Sequence, residues 1–431
     1  MLYPNLSINE HGHLSIAGFD APRLIEKYGS PLMVLDEDQV RAHCRTYIDA
    51  MRKYFPAGSV PLFASKALCF KELYRIVSDE GMGCDVVSPG ELYTMRAAGF
   101  PLDRAYFHGN NKTDEDIEFG MDSGVGCFVA DNRDELCSID RIARIRNKVQ
   151  KVLLRLTPGI DPHTHAKIST GKVDSKFGTA IETGQARELT EFALTLKNIK
   201  LLGFHCHIGS QIFDCAPFCD AADIMLRYIA EIKRDFGFEA SVLNLGGGFG
   251  VPYVAAHPSI DYEANIREIA AHINVRCAQF RLRPPAILME PGRSIVADCC
   301  TTLYTIGSVK TITGYKSYVS IDGGMTDNPR YALYQSEYTV LNASRANRPA
   351  DFICTVAGRC CESGDLIQED VAIARPQRGD ILAVLCTGAY NYAMASNYNR
   401  VCRPAILILK DGHDRLGVRR ETYEDLIAYD V

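Results

Sequence analysis

The sequence contains no tryptophan, a gap that excludes no fold. Other absences exclude more. No run of about 18 apolar residues occurs, so no membrane span is expected. The first twenty residues, MLYPNLSINEHGHLSIAGFD, lack a basic start followed by an apolar stretch. No secretory signal is therefore expected, and a cytoplasmic location follows as an expectation. No basic stripe is visible, and the formal net charge is −6, which argues against nucleic acid as a partner. The one dense basic stretch, RIARIR at 141–146, reads as a solvated helix face. Internal repeats and low-complexity linkers are also missing. What remains is a chain of 431 residues, 47% hydrophobic and 23% charged, long enough for two or three domains with a large core. Its sixteen cysteines are too diluted for a disulfide scaffold, so reduced core and loop thiols are expected.

Eight short apolar runs alternate with amphipathic stretches. The runs are PLFAS (61–65), GCDVVS (83–88), AYFHG (105–109), VGCFVA (125–130), KVLLRL (151–156), LLGFHCH (201–207), SVLNLG (241–246) and AILME (286–290). Continuous apolar runs mark strands buried on both faces. Helical periodicity lies between them at 71–79, 91–98, 133–147, 183–197, 218–234 and 261–277. Thr113 and Asp131-Asn132 are candidate caps for two of the intervening helices. Eight such units over about 230 residues match a TIM barrel; an open doubly wound sheet is the less regular alternative. After about residue 296 the chain becomes β-rich, with 301–312, 317–322, 351–358, 380–386 and 404–411 as strand candidates. HLSIAG and PLMVLD near the start look alike in texture. The expected organisation is an α/β TIM barrel at 37–295 and a mostly β domain at 296–431, completed by the N-terminal segment 1–36.

Chemistry in such a barrel sits at the C-terminal ends of its strands. Lys66 ends the first run, Asp85 lies in the second, and His108-Gly109-Asn110 closes the third. Arg155 is near the end of the fifth. His205-Cys206-His207-Ile208-Gly209-Ser210 closes the sixth, Gly246 to Gly250 follow the seventh, and Glu290-Pro291-Gly292-Arg293 follow the eighth. The glycine run could be a tight turn only, but beside Pro291-Gly292-Arg293 it favours a phosphate-bearing ligand. Lys66, flanked by apolar residues, is expected to be partly buried and available for a Schiff base, unless it snorkels to solvent. Glu290 could be a rim ion pair with Arg293, or the acidic partner that a pyridine nitrogen needs. A lysine, a carboxylate and a phosphate loop together describe a site for pyridoxal 5'-phosphate. His205 and His207 share a strand face, but a third zinc ligand at sensible spacing is missing; no metal is expected, and a histidine stacked on an aromatic ring is the better reading.

These motifs give a resemblance that covers essentially the whole chain. FASKA (63–67), DVVSPGEL (85–92), FHGNNK (107–112), RLTPGIDPHTHAKISTGKVDSKFG (155–178), HIGSQI (207–212), GGGFG (246–250) and EPGR (290–293) are its markers in the barrel. DGGMTDNPRYALY (322–334), CESGD (361–365), GAY (388–390) and SNYNR (396–400) follow. The chain resembles the bacterial diaminopimelate decarboxylases, in the barrel-fold group of pyridoxal-phosphate enzymes that includes ornithine and arginine decarboxylases. The resemblance implies that Lys66 carries the cofactor, His207 stacks on its ring and Glu290 binds the ring nitrogen. Gly248, Ser210 and the backbone of Gly292-Arg293 would hold the phosphate with help from Tyr390. Asp85, Gly247 and Pro291 complete the expected cofactor set. Arg293, Arg330, Tyr334, Glu362 and Tyr390 would bind substrate. Cys361 would donate a proton, supplied across a homodimer interface.

Two departures stand out. Such sequences often read Arg-Pro where this chain has Arg330-Tyr331, with Pro329 before the arginine, and the cysteine is doubled as Cys360-Cys361. Cys361 is taken as the proton donor because it directly precedes Glu362. A structural thiol and an exposed carboxylate are the plainer readings of that pair. The substrate implied is meso-2,6-diaminopimelate, whose far end carries an ammonium and a carboxylate that Glu362 and Arg330 could match. The product would be L-lysine, at the last step of lysine biosynthesis. The alternatives are an ornithine, lysine or arginine decarboxylase, a racemase, and a regulatory protein that has lost catalysis. Glu290 argues against the racemase; Lys66 and Cys361 argue against the regulatory protein.

Overall fold

The computed structural model describes residues 3–160 and 175–431. The stretch 161–174, which holds most of the expected motif at 155–178, lies outside the described residues. The barrel strands are Val60–Ala64, Gly83–Val86, Ala105–Phe107, Cys127–Ala130, Gln150–Thr157, Ile199–His205, Val242–Asn244 and Ala286–Met289. Each pairs in parallel with the next, and the eighth returns to the first with Leu288 opposite Val60. All eight apolar runs are therefore strands of one closed parallel barrel, as expected.

Closure follows from packing. Leu62 of the first strand, Cys127 and Val129 of the fourth, Leu153 of the fifth and Leu288 of the eighth form one buried cluster. The first and fourth strands are not neighbours in the sheet, so these side chains meet across the interior. Each fully buried leucine contributes about 1.5–3 kcal/mol of apolar transfer free energy. Local signals start the helices where expected. Thr113 and Asp116 form a reciprocal capping box on Asp114–Ser123, and Asn132 accepts from Glu135 N at the start of Arg133–Ile145. One buried ion pair reinforces this side of the barrel. Lys112 Nζ donates to Glu135 Oε1 at 2.6 Å and to the carbonyls of Gly109 and Val129 at 2.9 Å each.

The described chain divides into two compact units. The barrel comprises residues 43–250 and 259–292; the second unit comprises residues 1–42, 251–258 and 293–431. The second unit is mostly β. Its main sheet runs in the order Leu366–Ile373, Phe352–Ala357, Lys316–Ile321, Cys300–Ile312, Leu32–Asp36, Ala405–Lys410, His413–Val418. The N-terminal strand Leu32–Asp36 sits inside that sheet, antiparallel to Cys300–Leu303 and parallel to Ala405–Leu409. The N-terminal segment thus completes the β domain. HLSIAG instead contributes Leu14–Ile16 to a separate three-stranded sheet with Leu6–Ile8 and Phe19–Asp20. Strands not expected from sequence include Val340–Asn342, Leu366–Ile373 and His413–Val418, besides the short Leu6–Ile8, Phe19–Asp20 and Thr179–Ala180. LIQEDVAI and HDRLGV carry charges at half-exposed edge positions, which hides their apolar alternation. No helix among the described residues is long and apolar enough to cross a membrane.

Candidate active site

The barrel rim collects its polar residues around Glu290. Asn244 Nδ2 donates to Glu290 Oε1 at 2.7 Å. His108 Nε2 lies 3.0 Å from the same oxygen, and His205 Nε2 lies 3.3 Å from Oε2. All four side chains are buried, His205 and Asn244 completely. Burial alone would raise the Glu290 carboxyl, but its contacts with His108 and His205 outweigh this and hold it well below the ordinary range. Burial pushes the His205 imidazole down to about 4 and lowers His108 as well, against the pull of Glu290.

Asp85 shows the opposite shift. Burial, then the nearby Glu290 charge, raises its carboxyl well above the ordinary range, while Lys66 pulls it down. Two carboxyls in one dry site cannot both ionise cheaply, and here the anion falls on Glu290. His207 is lowered well below its usual value, first by burial and then by the charges of Lys66 and Arg155. Lys66 therefore acts electrostatically on Asp85 and on His207. Its side chain is exposed rather than partly buried, a correction to the sequence reading. The physical reason is the short 3-10 turn Ser65–Ala67, which follows the first strand and buries Ser65 and Ala67 while leaving the lysine exposed at the rim.

The glycine run has a packing cause. A Cβ on Gly247 would collide with the Glu290 carbonyl oxygen, and one on Gly248 would lie 2.7 Å from Gly209 O. Gly246 and Gly248 also hold positive φ, 69° and 139°. The run is thereby wedged between the sixth and eighth loops, with Glu290 N donating to Gly246 O and Ile212 N to Gly248 O. Gly247 N donates to His207 Nδ1 at 3.3 Å, which fixes the imidazole's orientation. Gly292 packs on Ala64 and Ala67, 2.8 and 3.1 Å from where its own Cβ would stand, so the eighth loop abuts the turn that carries Lys66. Pro291 O accepts from Ala64 N at 3.1 Å. Lys66, Asp85, His207, Gly247, Gly248, Glu290, Pro291 and Gly292 thus share one rim, and Ser210 lies in the sixth loop beside them.

The remaining expected residues belong to the second unit. Arg293 Nη1 and Arg330 Nη1 both donate to the Tyr253 hydroxyl, at 2.7 and 3.0 Å. Arg330 also reaches Tyr338 OH and Ala389 O, each at 3.3 Å. The Tyr390 ring lies 4.9 Å from the Arg293 guanidinium and 6.0 Å from that of Arg330. Tyr334 ends the short helix that Arg330 begins, on the same face one turn later. Pro329 immediately precedes that helix, and Tyr331 OH donates to Glu369 at 2.6 Å, which gives the departure at 329–331 its local anchor. Sequence reasoning missed Tyr253 and Tyr338, since single tyrosines carry no spacing signal. It also gave His108 no role and passed over Asn244, although VLN is a polar break in an otherwise apolar run.

Cys361 and Glu362 sit on an exposed loop and make no hydrogen bond to the arginine cluster among the described residues. Cys361 N donates to Asn399 Oδ1 at 2.8 Å. The base of the loop is tied by Asp365, which accepts from Met325 N at 2.6 Å and Cys360 N at 2.7 Å. Burial, helped by Asp365, pushes the Cys360 thiol up to about 11, whereas Cys361 is exposed.

The comparisons with known proteins give the family. The pyridoxal-binding domain of pyridoxal-dependent decarboxylases matches residues 37–297. Diaminopimelate decarboxylase of Bacillus subtilis is 43% identical over 98% of this chain and 96% of its own, and that of Staphylococcus aureus 41% over 98% and 99%. The crystal structure of diaminopimelate decarboxylase from M. jannaschii in complex with L-lysine superposes with a TM-score of 0.91 at 33% identity, covering 99% of this chain and 98% of that one. The chain belongs to the diaminopimelate decarboxylases, a family of pyridoxal-dependent decarboxylases.

Proposed function

We propose that the chain decarboxylates meso-2,6-diaminopimelate to L-lysine and CO2, with pyridoxal 5'-phosphate carried by Lys66. The observation that carries this reading is the anionic Glu290, buried at the same rim as the Lys66 amine. The rim fits the cofactor in a second respect. Among the described residues, no protein group accepts from the backbone N–H of Gly248 or of Gly292. Glycine N–H groups left over at the seventh and eighth loops of a barrel suit a phosphate.

Bound pyridoxal phosphate would supply the electron sink for loss of the Cα carboxylate as CO2. Lys66 would bind the cofactor through its amine and take that place again on product release. Glu290 would hold a proton at the ring nitrogen, with Asp85 kept neutral beside the lysine. His207, uncharged, would lie on the ring. Ser210, Gly247, Gly248 and the Pro291-Gly292-Arg293 backbone would bind the phosphate end, with Tyr390. Arg293, Arg330, Tyr334, Tyr390 and Glu362 would orient the substrate. Arg330 suits a carboxylate, because among the described residues it is buried with two phenols and a carbonyl but no acid. Cys361 would protonate Cα. Its exposed loop favours supply to the site of a second copy, so the working form is a homodimer in the cytoplasm. The reaction would be the last step of lysine biosynthesis.

The test is incubation of the protein and pyridoxal phosphate with meso-diaminopimelate, ornithine, lysine and arginine, with CO2 and product as readout. L-Lysine from diaminopimelate alone is expected. Comparable CO2 release from ornithine, lysine or arginine would overturn the substrate assignment.

A further inference from the structure

Two donors converge on Glu290, and one is an imidazole that the reaction as described does not use. A carboxylate has about four lone-pair directions. Asn244 donates to Oε1 and His205 Nε2 meets Oε2 at 3.3 Å, while His108 Nε2 stands 3.0 Å from Oε1 without a hydrogen-bond partner. The two rings stand edge to face with centroids 4.9 Å apart, which fixes both against rotation. His205 Nδ1 is buried and has no hydrogen-bond partner. A bare lone pair there costs less than an orphaned N–H, so the His205 proton belongs on Nε2, facing Glu290.

We propose that His205 is a positioning residue that acts as a neutral Nε2–H donor, fixing both the orientation and the single negative charge of Glu290. The charge state matters because of what each alternative does. A neutral donor stabilises the anion without cancelling it. One imidazolium would neutralise the site, and a neutral site loses its attraction for a protonated ring nitrogen. The other groups that act on Glu290 or on these rings are Asp85, Asp131, Arg155, Lys112, His207, Cys206 and Tyr106. Burial first, then the positive charge of Arg155, and at His108 also that of Lys112, disfavour the charged imidazoles. The inference rests on the proposed role of Glu290 toward the cofactor, but its protonation claim concerns the cofactor-free protein as well.

Nitrogen-15 NMR of histidine-labelled protein without cofactor tests it directly. His205, assigned by His205→Gln, is expected as a neutral Nε2–H tautomer at pH 7. An imidazolium or an Nδ1–H tautomer at that ring would overturn the proposal. Binding of pyridoxal phosphate gives the second readout. His205→Leu is expected to weaken its affinity about tenfold or more, the loss of one hydrogen bond to a charged group. His205→Gln, which retains an N–H donor, should recover most of that loss. Equal affinity in wild type and His205→Leu would overturn the proposal. Failure of the wild type to bind pyridoxal phosphate would instead sink the functional reading, while the NMR result would stand. Circular dichroism shows whether a variant is folded, and the wild-type spectrum decides the tautomers regardless.

Discussion

In the barrel, Glu290 accepts from Asn244 and His205, and Lys112 meets a carboxylate and two carbonyls. In the β unit, Arg330 is just as buried, yet its Nη1 reaches only two phenols and a backbone carbonyl, and its Nε has no partner. The barrel compensates its charges from within the chain. The β unit leaves part of that compensation to whatever anion arrives. Rigid, self-satisfied charge suits a group that holds a cofactor. An under-satisfied buried guanidinium suits a group that selects a substrate, because unmade bonds are realised only on binding.

Five substitutions can break or sharpen this contrast. Lys66→Ala is expected to lower kcat by about 10⁴-fold or more, as removal of a covalent catalytic group does, and to abolish the visible absorbance of bound cofactor. Retention of that band after substitution would refute the Lys66 assignment. Lys112→Met strands Glu135 as an unpaired buried charge and should cost about 3–5 kcal/mol in denaturant unfolding. A loss below about 1 kcal/mol would mean the pair is not compensating charge at all.

Two buried groups, one in each region, should also respond to pH with opposite signs. His205 titrates near 4 when folded against an ordinary 6.5, because burial disfavours its charge. Its share of stability is complete above pH 6.5 and is lost as pH falls toward 4. Asp327, buried in the β unit under the hydroxyl of Tyr304, is pushed by burial up to about 7 from 3.8. Its share is complete below pH 3.8 and is lost as pH rises through 7. Each shift corresponds to on the order of 3 kcal/mol across its window. Unfolding midpoints against pH should therefore lose their acid limb in His205→Gln and their neutral-side decline in Asp327→Asn. Parallel curves for wild type and either variant would defeat the assignment for that residue. The smallest effect is expected for Arg330→Met. With no carboxylate partner to strand, its stability should stay within about 1 kcal/mol of wild type while the KM for diaminopimelate rises. A collapse in stability would show that the phenols, not a substrate, satisfy the guanidinium.

The barrel was legible because strands buried on both faces read as unbroken apolar runs, and PLFAS, VGCFVA and AILME give no other option. The β unit was less legible where charge interrupts the pattern, as in LIQEDVAI at its sheet edge. At the site, Lys66 and Glu290 stood out because charged residues at strand ends are conspicuous. Lys66 proved exposed, since flanking apolar residues can bury themselves and turn a lysine out. The glycine run was read as a phosphate loop, yet Gly246 and Gly247 are first required by close backbone approach. Tyr253 and Tyr338 left no mark in sequence, because all the hydrogen-bonding partners of their hydroxyls but one lie 40 or more residues away, Arg330 of Tyr338 being 8 away, and Asn244 left only the polar break in VLN.

The fastening of the cysteine loop at Asp365 has an evolutionary corollary. Its carboxylate grips Met325 and Cys360 from below, and side chains on Gly324 or Gly358 would intrude on it. The ridge at 361–364 thus takes its place from its foundations, not from its own side chains. Exchanging residues 361 and 362 alone leaves that scaffold standing, so these two positions can vary without rebuilding the fold around them.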